Sequence, residues 1–210
     1  MSDIVQGSDA WKQMRLGKVT ASRVIDTDAK TKTGAWGASR ANYMAELIAE
    51  RLSGVPAEKF TNAAMQWGTE NEAAARREYG YRNSISVEEV PFVPHPRIIM
   101  SGASPDGLIG SDGLVEIKCP NTATHIDTLL AGVVPKKYVT QMQWQMACTE
   151  RQWCDFVSYD PRMPDDMAFF RKRVERDQDY ITHLEEVVSE FLAELAEKVS
   201  ALTEKFGKAA

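Results

Sequence analysis

The chain has 210 residues, 43% of them apolar, a formal net charge of −5 and three cysteines. No stretch approaches the roughly 20 apolar residues of a membrane span, and Met1-Ser2-Asp3 does not open a signal peptide, so a soluble, cytoplasmic chain with one substantial core is expected over residues 1–210. Cys119, Cys148 and Cys154 contain no Cys-x-x-Cys pair and are odd in number, which points to reduced thiols and away from zinc. The charge is unevenly spread. Residues 12–40 hold seven basic against two acidic residues, and residues 175–206 hold nine acidic against three basic; this permits one phosphate-facing and one repelling side, although charge alone favours a solvated helix surface for each half.

In chain order, Ser8 caps a short helix beginning near Asp9-Ala10-Trp11, which stops at Gly17, and Thr20-Ala21-Ser22 restarts a second. A helix starting there, with the Ser22 hydroxyl and Arg15 in the turn before it, suits a terminal phosphate, but spacing alone favours a capping serine and a surface arginine. Asp28 to Gly37 reads as a flexible basic loop around Trp36, a residue that can stack on a base or tuck onto a nearby core. Ser39–Leu52 is expected as a helix ended by Gly54. Asn62–Tyr81 is expected as another, with Ala64, Trp67, Ala74 and Tyr79 as apolar anchors and Glu70 and Glu72 among its charged residues. Short strands follow over Ile85–Val90, Phe92-Val93 and Ile98–Ala103, separated by prolines.

The stretch from Ser104 to Lys118 carries the clearest chemistry. Leu114 to Lys118 alternates, so Glu116 and Lys118 share one face of a strand and Val115 and Ile117 the other. Leu108-Ile109 is a partner strand across Gly110-Ser111-Asp112-Gly113. If the connection has an odd number of residues, Gly110 to Asp112 with Gly113 supplying a left-handed bulge, Asp106 lies opposite Glu116. Opposed carboxylates roughly 5 Å apart at Cβ repel unless a cation lies between them, and hard oxygen ligands suit Mg²⁺. The plainer alternative is a surface ion pair of Glu116 with Lys118, worth at most about 1 kcal/mol.

Beyond Cys119-Pro120, helices are expected over Thr122–Ala131 and Lys136–Thr149, the latter with Gln141 and Gln145 four apart and Met142 and Met146 as core filler. Trp153–Tyr159 and Phe169–Val174 read as two strands. Asp177–Phe206 reads as a long helix with one apolar stripe, to which no chemistry is assigned. The whole is α/β, a central mixed sheet flanked by helices.

Pro-Asp, nine residues, then Glu-Ile-Lys matches the Pro-Asp … Glu-x-Lys nuclease pattern, a moderate signal alone. Asp9-Ala10-Trp11, Arg15-Leu16-Gly17, Thr20-Ala21-Ser22, Trp67-Gly68, Ser104-Pro105-Asp106-Gly107, Glu116-Ile117-Lys118-Cys119-Pro120, Gln141-Met142-Gln143 and Tyr159-Asp160-Pro161-Arg162-Met163 occur in the order seen in lambda exonuclease. The chain therefore resembles the lambda exonuclease family of phage and prophage alkaline exonucleases over nearly its whole length. That resemblance implies a restriction-endonuclease-like core and a Mg²⁺-dependent exonuclease, with Mn²⁺ as substitute, that degrades one strand of duplex DNA from a 5′ phosphate. It would release mononucleotides and leave a 3′ overhang. It further implies a trimeric ring around DNA and a single-strand annealing partner in the cytoplasm of a bacterial host. By motif, Asp106, Glu116 and Glu72 are the metal carboxylates, Ile117 lends a backbone carbonyl, Lys118 is the catalytic lysine and Gln141 supports the site. Arg15 and Ser22 fall on the 5′-phosphate pocket, with Ser104, Trp36 and His125 as further DNA contacts. Where the family can place an arginine after Cys-Pro, this chain has Thr124 and His125.

Two other functions fit parts of the pattern. An endonuclease of the same fold keeps Asp106, Glu116 and Lys118 without a 5′-phosphate pocket, and a non-catalytic DNA-end-binding subunit binds ends without releasing nucleotides.

Overall fold

The computed structural model describes residues 4–57 and 63–207; Met1–Asp3 and the expected helix start at Asn62 lie outside them. Helix α1 (Asp9–Arg15) is capped by Ser8, whose hydroxyl accepts from the Trp11 N–H, and the chain turns at Gly17 with φ +64°. A two-residue strand β1 (Val19–Thr20), too short to leave a pattern in the sequence, precedes a 3₁₀ turn (Ala21–Arg23) and α2 (Val24–Thr27). Then come α3 (Ala38–Ser53), α4 (Ala63–Asn83), β2 (Val93–Pro94), β3 (Ser101–Ala103), β4 (Gly107–Ile109), β5 (Gly113–Lys118), α5 (Thr122–Ala131), α6 (Lys136–Thr149), β6 (Trp153–Tyr159), β7 (Phe169–Glu175) and α7 (Gln178–Phe206).

The architecture is mixed α/β, but the strands divide between two sheets instead of forming one. Three short strands lie in the order β1-β3-β2, and four in the order β4-β5-β6-β7, with β5 and β6 parallel and the outer pairs antiparallel. The strand expected over Ile85–Val90 is a single bridge between Glu88 and Leu108. Its partner β4 is only three residues long and Pro91 has no N–H to donate, so the pairing does not propagate.

The central strands β5 and β6 are buried on both faces, and the alternation of β5 decides what meets what. Val115 and Ile117 pack with Ala75 and Tyr79 of α4, whereas Leu114 packs with Met142 and Met146 of α6. Glu116 and Lys118 share the Leu114 face and are therefore aimed at α6.

The hairpin that presents them has Gly107 opposite Val115, Leu108 opposite Leu114 and Ile109 opposite Gly113. Continued by one residue, that register sets Asp106 across from Glu116. The connection is the odd loop Gly110-Ser111-Asp112, but its left-handed residue is Gly110 (φ +51°), where Gly113 had been expected. Gly113 is required for a different reason: a Cβ there would lie 2.1 Å from the ring of Trp153, which Arg173 covers at 3.5 Å on β7. Arg151 closes the turn by donating to the carbonyls of Ile109, Gly110 and Gly113 at 3.0, 2.9 and 2.7 Å. Gly113→Ala should therefore destabilise the fold by about 2 kcal/mol through overpacking. Urea denaturation measures this, and an unchanged midpoint would show that the ring yields freely.

Candidate active site

Glu116 is fully buried, and each of its oxygens is engaged. Oε1 pairs with the Lys118 ammonium and accepts from Gln141 Nε2 at 2.7 Å; Oε2 accepts from Gln145 Nε2 at 2.5 Å. The two glutamines stand one helical turn apart on α6, so they reach the carboxylate as a fork. Gln141 was expected here and Gln145 was not, although the four-residue spacing was visible. Spacing alone does not say which helix face meets the strand.

Asp106 is 9% exposed, and its Oδ2 accepts from the Ile117 N–H at 2.6 Å, which draws the Ile117 backbone to the carboxylate pair. Burial first, and then the charge of Glu116, raise the Asp106 carboxyl well above the usual carboxylate range, with Lys118 opposing. Burial opposes the charged form of Lys118 as well, but Glu116 and Asp106 outweigh it and hold the lysine as an ammonium. Glu72 on α4 is also raised, by burial, with Arg76 and Lys118 opposing.

Arg76 is the second site residue that sequence reasoning passed over. It grips Glu72 at 2.6 Å, Glu89 at 2.8 Å and the backbone carbonyl of Asp106 at 2.9 Å, so it ties α4 to the start of the hairpin. Among the described residues no three His, Cys, Asp or Glu side chains stand close enough to enclose an ion by themselves, and Glu72 is turned to Arg76. The donor set nonetheless fits a hard divalent cation. Asp106 and Glu116 are two buried carboxylates facing one ammonium, and Mg²⁺ is commonly bound through one or two carboxylates with waters completing its shell.

Arg15 stacks over Trp11 at 4.1 Å and donates to Ser104 Oγ at 3.1 Å, and Trp11 Nε1 donates to the same hydroxyl at 3.0 Å. Burial pushes the Arg15 guanidinium down to about 10 against the raising effect of Tyr43 and Glu50, and no carboxylate among the described residues forms an ion pair with it. Ser22 meets Thr20, 3.4 Å between hydroxyls, and does not join Arg15 and Ser104.

Trp36 lies apart from this group. It is 48% exposed, with Arg40 over its ring at 4.1 Å and Lys30 at 5.1 Å. His125, expected as a DNA contact, is fully buried. Its Nε2 lies 2.8 Å from the Met167 carbonyl, which only accepts, so Nε2 carries the proton and Nδ1 accepts from the Ser158 hydroxyl at 2.7 Å. Both ring nitrogens are spent inside the protein, and His125 has nothing left to offer a phosphate.

A family model for the YqaJ-like viral recombinase domain matches residues 10–152. The chain belongs to that family. Among solved structures, this recombinase-family chain is similar to LHK-Exo, an alkaline exonuclease from Laribacter hongkongensis, at 54% identity and a TM-score of 0.89, covering 97% of this chain and 100% of the other. LHK-Exo in complex with dAMP is similar at 53% identity and a TM-score of 0.90 with the same coverage. A phage-related exonuclease from Haemophilus somnus, 17% identical with a TM-score of 0.70 over 88% of this chain and 96% of that one, shares the fold. A search of curated proteins finds no match. No helix among the described residues of the recombinase-family chain is long and apolar enough to cross a membrane.

Proposed function

We propose that this chain is a Mg²⁺-dependent exonuclease that degrades one strand of duplex DNA from a 5′-phosphorylated end, releasing mononucleotides and leaving a 3′ overhang. The observation that carries the reading is the hairpin register, which sets Asp106 against Glu116 with Lys118 on the same carboxylate, in a chain 54% identical to an alkaline exonuclease. In this reading the protein works in the host cytoplasm as a trimeric ring and passes the overhang to a single-strand annealing protein.

Asp106, Glu116 and the Ile117 carbonyl would hold the divalent cation, with Glu72 joining if it leaves Arg76. The chemistry such a cation supplies is charge compensation at the scissile phosphate and a hydroxide at neutral pH. The protein's own groups do the rest. Gln141 and Gln145 fix the rotamer of Glu116, so the carboxylate is placed before substrate arrives. Lys118, whose ammonium sits on the Glu116 carboxylate, would orient the attacking water and offset negative charge that builds on the phosphate. Arg15, held by Ser104 two residues before Asp106 and stacked on Trp11, would receive the terminal phosphate.

Digestion of linear duplex bearing a 5′ phosphate or a 5′ hydroxyl, and of closed circles, in Mg²⁺ and in EDTA, tests this reading. Mononucleotides should appear only from linear DNA in Mg²⁺, and faster from phosphorylated ends. Equal cutting of circles would make the protein an endonuclease, and binding without release would make it an end-binding subunit.

A further inference from the structure

A cavity of about 790 Å³ is lined by Arg15, Lys18, Thr20, Tyr43, Glu46 and Glu50, among others. The carboxylates of Glu46 and Glu50 are committed. Glu50 accepts from the backbone N–H groups of Gly17 and Ala57 at 2.8 and 2.9 Å, and Glu46 from Arg23 at 2.8 Å. Two cations on the cavity wall are not. Arg15 has five N–H donors and, among the described residues, makes one side-chain hydrogen bond, to Ser104. Lys18 has three and makes one among the described residues, 2.5 Å to the Met14 carbonyl, with its ammonium 5.6 Å from the centre of the Phe92 ring. Neither forms an ion pair with a carboxylate among the described residues, and burial lowers the pKa of both, so each stands to gain from an anion.

We propose that Lys18 is a second ligand of the 5′-terminal phosphate, acting with Arg15 to select a terminal monoester over internal diesters. The proposal rests on the exonuclease reading above. A phosphate monoester carries about −1.5 to −2 at neutral pH, and an internal diester only one negative charge, so a pair of cations matches the terminal group better than either does alone. Neither Thr124, which is uncharged, nor His125, which is buried with both nitrogens engaged, supplies a cation to the phosphate. Lys18 lies three residues after Arg15, on the wall of the same cavity.

The test is fluorescence anisotropy in EDTA, where no hydrolysis intervenes, using duplexes with a 5′ phosphate or a 5′ hydroxyl. Lys18→Met keeps the stem over Phe92 and removes the charge. Its preference for the phosphorylated end, taken as the ratio of the two Kd values, should fall roughly 10- to 100-fold, the size of one charged hydrogen bond. The slope of log Kd against log salt for the phosphorylated end should fall by about 0.9. Lys18→Arg, which restores the charge, should retain most of the preference and shows that the loss is not one of folding. A wild-type ratio in Lys18→Met, with the ratio lost in Arg15→Ala, overturns the role of Lys18 and leaves the 5′-end reading intact. Equal binding of both ends by the wild-type protein overturns both.

Discussion

Lys118→Ala is expected to lower the rate of nucleotide release by on the order of 10³, the scale for removing one preorganised donor at a developing negative charge. The same change exposes what the lysine does for the fold. Glu116 is completely buried and Asp106 nearly so, and the Lys118 ammonium is the cation on the Glu116 carboxylate. Removing one partner of a buried pair costs several kcal/mol because a charge is left uncompensated, but Lys118 keeps 28% of its side chain exposed, so water recovers part of that cost. In EDTA the variant should be about 2 to 3 kcal/mol less stable than the wild type. Adding Glu116→Gln should return most of that stability and none of the activity, since Gln141 and Gln145 would then face a neutral amide. Mg²⁺ should also recover stability in the single variant, because a ligand that binds only the folded state stabilises it by mass action. Urea denaturation with and without Mg²⁺, beside a nucleotide-release assay, separates the two effects. Full activity in Lys118→Ala would remove the lysine from the mechanism.

Arg15→Ala should abolish the advantage of a 5′-phosphorylated end. KM for that substrate should rise roughly 10- to 100-fold, as expected for the loss of a charge-assisted contact, while digestion of 5′-hydroxyl ends changes little. The physical reason is that Arg15 forms no ion pair with a carboxylate among the described residues: burial pushes it down to about 10, and its polar contact there is the Ser104 hydroxyl. Such a group is poorly compensated until an anion arrives. Its removal should therefore cost the free protein little stability, at most about 1 kcal/mol from the lost stacking on Trp11. A large loss of stability with unchanged end preference would mean that Arg15 is there to hold α1 against the β3–β4 segment.

How legible these features were depended on how local they are. Thr122–Ala131, Lys136–Thr149 and Trp153–Tyr159 read correctly to the residue, because apolar spacing, the Asn121 cap and a left-handed Gly132 act within one or two turns. The pairing of Asp106 with Glu116 was readable because an odd loop and a two-residue side-chain period leave a single register. Ile85–Val90 failed as a strand although its composition was suitable, because a strand exists only where a partner is long enough to pair with it. Gln145 and Met146 are adjacent on one helix. One grips the Glu116 carboxylate of the candidate site and the other fills core, and only the packing of α6 on β5 separates them.

Local spacing was enough for the longer helices, for β5 and β6, for the nuclease motif and for the turn length that sets two carboxylates face to face, since none of these needs knowledge of a distant neighbour. Tertiary structure decided which charges are neutralised and by what. It brought two glutamines of α6 onto Glu116, buried His125 between Ser158 and Met167, and left Arg15 and Lys18 on one cavity wall with no ion pair to a carboxylate among the described residues. Whether a charge is compensated depends on groups tens of residues away brought within about 3 Å, and on water being excluded around them; neither condition is written in local spacing.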